Sequence, residues 1–150
     1  MRDATPVRVL LDAIGRAVGG TERVVWELAT RLPEVRFDVR VWLSDDAGVD
    51  ELDAALEQAN VPVDRVAEVE SRWDWKGMFA TWSKLRKLKP DLVHIHHVWP
   101  AANRYLSMIA RAAGVPHIVV TEHIMGESHS RGQRALKRDE LRNADAVTAV

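Results

Sequence analysis

Cysteine is absent from the 150 residues of this chain. Its absence excludes disulfides, thiolate zinc sites and a cysteine nucleophile, and it is typical of proteins from reducing compartments, so we expect a cytoplasmic location. An excess of one charge is lacking as well, because 21 basic residues are balanced by 22 acidic ones. A nearly neutral chain has no global field that attracts nucleic acid, and we expect no nucleic-acid partner.

Long apolar runs are also missing. The amino terminus has Arg2 and Asp3 followed by a short run at Val7–Leu11, whereas a membrane span needs about 20 apolar residues. We therefore expect neither a membrane span nor a secretory signal. The apolar content of 47% is enough for one hydrophobic core, so residues 1–150 are predicted to form a single domain.

Short β-like segments alternate with helical patterns, which is typical of βαβ units and predicts an α/β domain with a parallel sheet. The predicted strands are Val7–Leu11, Phe37–Leu43, Val61–Val66, Leu92–His96, His117–Thr121 and Ala146–Val150. The predicted helices are Thr21–Leu32, Val49–Ala59, Lys76–Leu88, Ala101–Ala113 and Gly132–Arg142. Pro33, Pro90 and Pro116 each follow a helical pattern, as expected of a residue that cannot continue a helix.

A glycine pair joins the first predicted strand to the first predicted helix. Gly19 and Gly20 can adopt positive φ and approach a ligand, and the first N–H groups of the helix point outward at the positive end of its dipole. This pattern indicates a phosphate site, and the alternative is a plain turn with Thr21 as the N-cap. The spacing of Gly15, Gly19 and Gly20 does not match a dinucleotide fingerprint, and no lysine follows Gly20 as in a P-loop.

Histidines can be sorted by their place along the predicted strands, because ligands of open parallel sheets bind beyond the carboxyl ends. His117 begins its strand and is predicted to be structural. His96 and His97 end one strand and His123 follows the next, so these three are candidates for the crevice. His94 and His96 share one face of their strand, while His97 points to the other face.

A metal site on His94, His96 and His123 is one alternative. A zinc-hydrolase pattern would need an aspartate and a histidine at the positions of Val98 and Trp99. With no cysteine and no H-E-x-x-H motif, we predict no bound metal and favour neutral, hydrogen-bonding histidines. A purely structural role for His94 and His96 in the core stays open.

Large apolar side chains concentrate around the start of the third predicted helix, at Trp73, Trp75, Met78, Phe79 and Trp82. Such a cluster lines an acceptor pocket, touches lipid headgroups or, in most proteins, belongs to the core. Basic residues on the third and fifth helices fit an anionic membrane or polyanionic substrate, or a solvated face. Peripheral membrane contact is therefore an open expectation.

These segments together resemble the amino-terminal domain of GT-B glycosyltransferases of the family 4 type. The resemblance covers essentially the whole chain and rests on GGTERVV at 19–25, KPDLVHIH at 89–96, the GVP and VVTEH motifs within 114–123, and ADAVTAV at 144–150. It implies a Rossmann-like three-layer domain with a parallel sheet, which is the amino-terminal half of the GT-B fold.

The resemblance also implies an activity, the transfer of a sugar from a nucleotide-sugar donor to an acceptor hydroxyl with retention, usually without a metal or cofactor. Gly19, Gly20 and Thr21 match the glycine loop that lies against the donor phosphates and the acceptor. His123 matches the histidine beside the donor sugar and is the catalytic candidate. The candidates for the acceptor side, a carbohydrate or glycolipid, are His96, His97, Glu122 and Trp75.

A partner domain is implied too. The carboxyl-terminal donor-binding half of the family is absent from residues 1–150, so we expect this chain alone to be inactive. The expected setting is polysaccharide or glycolipid synthesis in the cytoplasm, at the inner face of the membrane. The alternative is a non-catalytic Rossmann-like binding or interaction module, and the sequence that follows Val150 in the parent gene discriminates the two.

Overall fold

The computed structural model describes residues 5–15, 18–97, 102–123 and 130–149. Strands and helices alternate as the sequence pattern predicts. The strands are β1 (Val7–Ala13), β2 (Phe37–Ser44), β3 (Val63–Val66), β4 (Leu92–His97), β5 (His117–Glu122) and β6 (Ala146–Ala149). The helices are α1 (Gly20–Arg31), α2 (Asp50–Gln58), α3 (Trp75–Leu88), α4 (Leu106–Ala112) and α5 (Arg131–Asn143).

All six strands pair in parallel, in the order β3-β2-β1-β4-β5-β6. The chain therefore builds outward from β1 in one direction and then returns to place β4 against its other side. The connections diverge between β1 and β4, and the crevice beyond their carboxyl ends is the usual ligand site of such sheets. The predicted α/β class and parallel sheet are confirmed.

Apolar side chains of the inner strands divide between two cores, because successive residues point to opposite faces of the sheet. Val9 and Leu11 of β1 pack with α1 and α2 on one face. Leu10 packs with α3 and α4 on the other face. The same alternation assigns the polar residues at the strand ends to opposite faces, which decides how the site is assembled.

Helix α4 begins at Leu106, not at the predicted Ala101, which lies outside the described residues. Asn103 has φ of 44°, in the left-handed region that an α-helix does not use, so the chain forms turns before the helix starts. Val150, the predicted end of the last strand, also lies outside the described residues. None of the described helices has the length and apolar character needed to cross a bilayer.

Candidate functional site

Helix α1 begins at the glycine pair, but not in the way that the sequence predicts. Gly19 is the N-cap with φ of −142°, an extended conformation that any residue adopts, and Gly20 is the first helical residue. Among the described glycines only Gly114 has positive φ. The alternative N-cap assignment to Thr21 is wrong, because Thr21 lies buried within the first turn. The backbone N–H of Gly19 instead donates to Oε2 of Glu22 at 2.9 Å.

The start of α1 nevertheless has the features of an anion site. The N–H groups of the first turn have no intrahelical acceptor and lie at the positive end of the helix dipole. A Cβ atom on Gly20 would meet nothing within 4 Å, so the space beside this turn is open. A Cβ on Gly19 would touch only Glu22 Oε2, at 3.4 Å. The phosphate role of this turn stays a prediction.

A pair of histidines lies at the carboxyl ends of the neighbouring strands β4 and β5. The register places His97 beside Glu122, and the chain continues directly from Glu122 to His123. His96 Nδ1 lies 3.0 Å from His123 Nε2, and the two rings stack with their centroids 5.3 Å apart. The backbone N–H of His123 donates to the carbonyl of His97 at 3.4 Å. Two predicted site residues thus form one hydrogen-bonded unit at the carboxyl edge of the sheet.

Both imidazoles of this pair are neutral near pH 7. Burial lowers the pKa of His96 far below its usual range, and the neighbouring histidines lower it further. Burial also lowers the pKa of His123, although the carboxylates of Glu22 and Glu122 partly oppose that shift. Because the charge of Glu22 acts on His123, the first turn of α1 lies near the histidine pair. A neutral imidazole can donate to or accept from a sugar hydroxyl.

His94 faces the same side of β4 but has a different partner. Its Nε2 lies 2.7 Å from the hydroxyl of Thr121, which lies 2.7 Å from the hydroxyl of Thr148 on β6. Burial lowers the pKa of His94 to about 4. Within the described residues, the atoms of His94, His96 and His123 do not converge as a set of metal ligands. Val98 and Trp99 lie outside the described residues.

The opposite face of the sheet carries a charge cluster, defined as the buried His97 and Glu140 with the half-buried Glu122 and Lys137. The ammonium of Lys137 donates to Glu122, donates to Glu140 Oε2 at 2.9 Å and lies 3.1 Å from His97 Nδ1. His97 Nε2 lies 2.7 Å from Glu140 Oε1. The ligand atoms of the histidine and the two glutamates lie within 4.8 Å of one another, the spacing of a metal site. Lys137 contacts all three residues, so the cluster has a cation of its own.

The charges within this cluster balance. Burial disfavours the imidazolium of His97, but its contacts with Glu122 and Glu140 outweigh burial and raise its pKa to about 9. Burial likewise opposes the carboxylate of Glu122, whereas the contacts with His97 and Lys137 lower its pKa to about 2. Two cations and two carboxylates therefore coexist between β4, β5 and α5.

Asp12 is a third buried polar feature, on β1 and on the same face of the sheet as His97. Its side chain is 0% exposed. Oδ2 accepts a hydrogen bond from the carboxamide of Asn103 at 2.7 Å, and Oδ1 has no partner within the described part of the chain. The backbone N–H of Asn103 in turn donates to Glu68 at 2.7 Å. These contacts explain why the chain at Asn103 forms a turn instead of extending α4.

The structure therefore separates the predicted site residues into three places. His96 and His123 pair at the edge, close to the start of α1, whereas His97 and Glu122 lie on the opposite face. Trp75 stands at the start of α3, is 69% exposed and has its ring 5.5 Å from the ammonium of Lys76. Within the described residues Trp75 makes no contact with the histidine pair, so the candidates for the acceptor side do not form one cluster.

Sequence reasoning missed three buried carboxylates, Asp12, Glu22 and Glu140, and the half-buried Lys137. Asp12 was detectable, because a carboxylate directly after an apolar strand run is costly unless it has a partner. Lys137 and Glu140 gave no such signal, since the rotation of α5 against the sheet cannot be read from its sequence.

Comparison with known proteins identifies the family. The sequence model of Glycosyltransferase Family 4 matches residues 18–150. No curated protein matches the chain. Among solved structures, a Listeria monocytogenes protein named as a UDP-N-acetylglucosamine 2-epimerase matches with a TM-score of 0.67 at 13% identity. The match covers 97% of this chain and 39% of that protein, so this chain spans well under half of its structural neighbour.

The structural likeness concerns the fold, which is Rossmann-like and of the GT-B amino-terminal type. The family match rests on the sequence and includes the glycine turn, both histidine-bearing strand ends and the last strand. The chain belongs to glycosyltransferase family 4.

Proposed function

We propose that this chain is the acceptor-binding half of a retaining glycosyltransferase. The complete enzyme moves a sugar from a nucleotide-sugar donor to a hydroxyl of a carbohydrate or glycolipid, in the cytoplasm. A carboxyl-terminal domain that binds most of the donor completes the site, and the reaction uses no metal or other cofactor. Family membership and the 39% coverage of the larger structural neighbour support this proposal.

The observation that carries the proposal is the neutral His96–His123 pair near the start of α1. Sugar transfer places growing negative charge on the departing diphosphate, and fixed N–H donors at a helix start stabilise such charge. A neutral His123 can orient a sugar hydroxyl without adding a charge of its own. His96 holds the His123 ring through the 3.0 Å contact and so acts as a positioning residue.

A nucleotide-sugar assay tests this function. The complete gene product, including what the gene encodes after Val150, is incubated with a panel of nucleotide sugars and with lipid and oligosaccharide acceptors. We expect turnover for at least one pair, unchanged by a chelator, and none for residues 1–150 alone.

Two outcomes contradict the proposal. Turnover by residues 1–150 alone would show that this half is self-sufficient. A gene that stops at Val150, together with a protein that lacks turnover, would favour the non-catalytic binding module.

A further inference from the structure

Helix α3 carries the largest exposed apolar side chains among the described residues. Trp75 is 69% exposed and Phe79 is 64% exposed, and Trp73, in the loop just before the helix, is 75% exposed. The sequence-based expectation of a core cluster is wrong for these three residues. Met78 and Trp82, by contrast, do pack against the core. Burying large aromatic side chains is strongly favourable, so three exposed ones in one place indicate a binding surface.

The exposed residues of α3 lie on one stripe. At about 100° per residue, the outward positions from Trp75 to Lys87 fall within an arc of about 140° and span about 18 Å along the helix axis. Trp75 and Phe79 occupy the amino-terminal half of this stripe. Arg86 and Lys87 occupy the other half, and Lys76 lies beside the aromatic residues.

The charge of the stripe is of one sign. Residues 75–89 contain five basic side chains and no acidic one, although the whole chain has a formal net charge of −1. Lys84 is turned inward toward Asp64, at 3.7 Å. Lys76, Arg86 and Lys87 remain on the exposed side, and the Lys76 ammonium lies 5.5 Å from the ring centre of Trp75. Basic residues interleaved with tryptophan are the composition that binds an anionic lipid–water interface.

The direction of the stripe distinguishes a membrane from a second domain. Helix α3 covers one face of the sheet through Leu85, Met78 and Trp82, so its exposed stripe points away from that face. The crevice lies instead beyond the carboxyl ends of the strands. A domain closing over the crevice would therefore leave most of the stripe uncovered.

We propose that the outward stripe of α3, with Trp73 in the preceding loop, docks the protein on an anionic lipid surface. This inference deepens the proposed function and rests on it for its biological purpose, because a glycolipid acceptor would lie in the same surface. Vesicle binding is measured without turnover, so either proposal can fail while the other holds.

Vesicle sedimentation tests the docking surface. The full chain is mixed with vesicles of phosphatidylcholine alone or of phosphatidylcholine with one-third phosphatidylglycerol. We expect binding to the anionic vesicles, weak or no binding to the neutral ones, and a blue shift of tryptophan emission on binding. Removal of the aromatic pair in Trp75→Ala/Phe79→Ala, or charge reversal in Lys76→Glu/Lys87→Glu, should each weaken binding by about tenfold or more.

A matched charge reversal elsewhere serves as the control. Arg131 and Arg138 are exposed on α5, and Arg131→Glu/Arg138→Glu makes the same change in net charge away from the stripe. This variant loses the same general attraction to anionic vesicles as the charge reversal on the stripe. Its vesicle binding should nevertheless stay within about twofold of that of the original chain. Circular dichroism checks that every variant is folded.

Three results would overturn the inference. The first is no binding to anionic vesicles, and the second is an equal loss of binding in the α5 control. The third is concentration-dependent dimerisation, or quenching of tryptophan emission by soluble oligosaccharide, that disappears in Trp75→Ala/Phe79→Ala while vesicle binding does not change. That result would assign the stripe to a second copy of the chain or to a carbohydrate.

Discussion

At the residue scale, Asp12 is the carboxylate most completely removed from water within the described residues. Burial raises its pKa to about 7, although the hydrogen bond from Asn103 and the charge of His97 oppose the shift. A raised pKa means that the folded chain binds the proton more tightly than the unfolded chain. Stability from this group is therefore full below about pH 4 and is lost as the pH rises toward 7.

The variant Asp12→Asn should remove this pH dependence, because the amide oxygen still accepts from Asn103 and cannot ionise. Between pH 4 and pH 8 the free energy of unfolding of the variant should rise relative to the original chain by on the order of 3 kcal/mol. Urea unfolding at several pH values measures it. Asp45→Asn, at an exposed carboxylate, should keep the original profile, and parallel profiles for Asp12→Asn and the original chain would refute the assignment.

Lys137 is the residue on which the charge cluster depends. The variant Lys137→Met leaves Glu122 and Glu140 with only the His97 imidazolium between them, so we expect a loss of about 2 kcal/mol in the free energy of unfolding at pH 7. Arg138→Met, at the exposed neighbour, should change stability by less than about 0.5 kcal/mol. Equal melting temperatures for the two variants would mean that the cluster adds nothing to stability.

For individual site residues, the sequence predicts only the position along a strand and the face of the sheet to which the side chain points. The order of residues along β4 and β5 predicts that His96 and His123 lie at the carboxyl edge and that His97 points away from His96, as observed. The contact between His96 and His123 depends on the pairing of β4 with β5, which no single strand sequence specifies. The partners of His97 come from α5, a helix whose rotation is fixed only when the whole domain packs.

At the scale of elements, the start of α1 links the fold to the proposed chemistry. Gly20 contributes open space and not an unusual backbone angle, so a side chain there should enter the space that the proposed site assigns to a ligand while the fold survives. In the complete protein, turnover should fall in steps with side-chain size, modestly for Gly20→Ala and by about tenfold or more for Gly20→Val. The melting temperature should change little, since replacing glycine in a helix gains at most about 1 kcal/mol of helix propensity.

Unchanged turnover in Gly20→Val would remove the glycine turn from the site. A large fall in melting temperature would instead show that the glycine serves the fold. The two readouts together separate a binding role from a structural one.

Element boundaries were predictable where propensity and packing agree. The prolines after α1, α3 and α4 mark the helix ends, and apolar runs predict every strand. The start of α4 was not predictable, because Asn103 interrupts a helical pattern to satisfy Asp12, which is 91 positions away in sequence. Long-range polar contacts of this kind override the helix propensity of the local sequence.

At the scale of the whole molecule, alternation of strands and helices was enough to predict the class of the fold, because parallel strands need crossover helices. The strand order could not be predicted from this alternation alone. It is fixed when the chain folds, because both apolar faces of the sheet must be covered. That order is what places the histidine pair beside the first turn of α1. The proposed site therefore depends on the strand order more than on any single sequence motif in this chain.

We propose that His123, just past the carboxyl end of β5, acts on the transferred sugar. The turnover number of the complete protein with His123→Ala, compared with His117→Ala at the exposed amino end of the same strand, tests it most directly. We predict that kcat falls by about 100-fold or more in His123→Ala, with an unchanged melting temperature, and stays within about twofold in His117→Ala. Wild-type turnover in His123→Ala, or an equal loss in both variants, would contradict this role of His123.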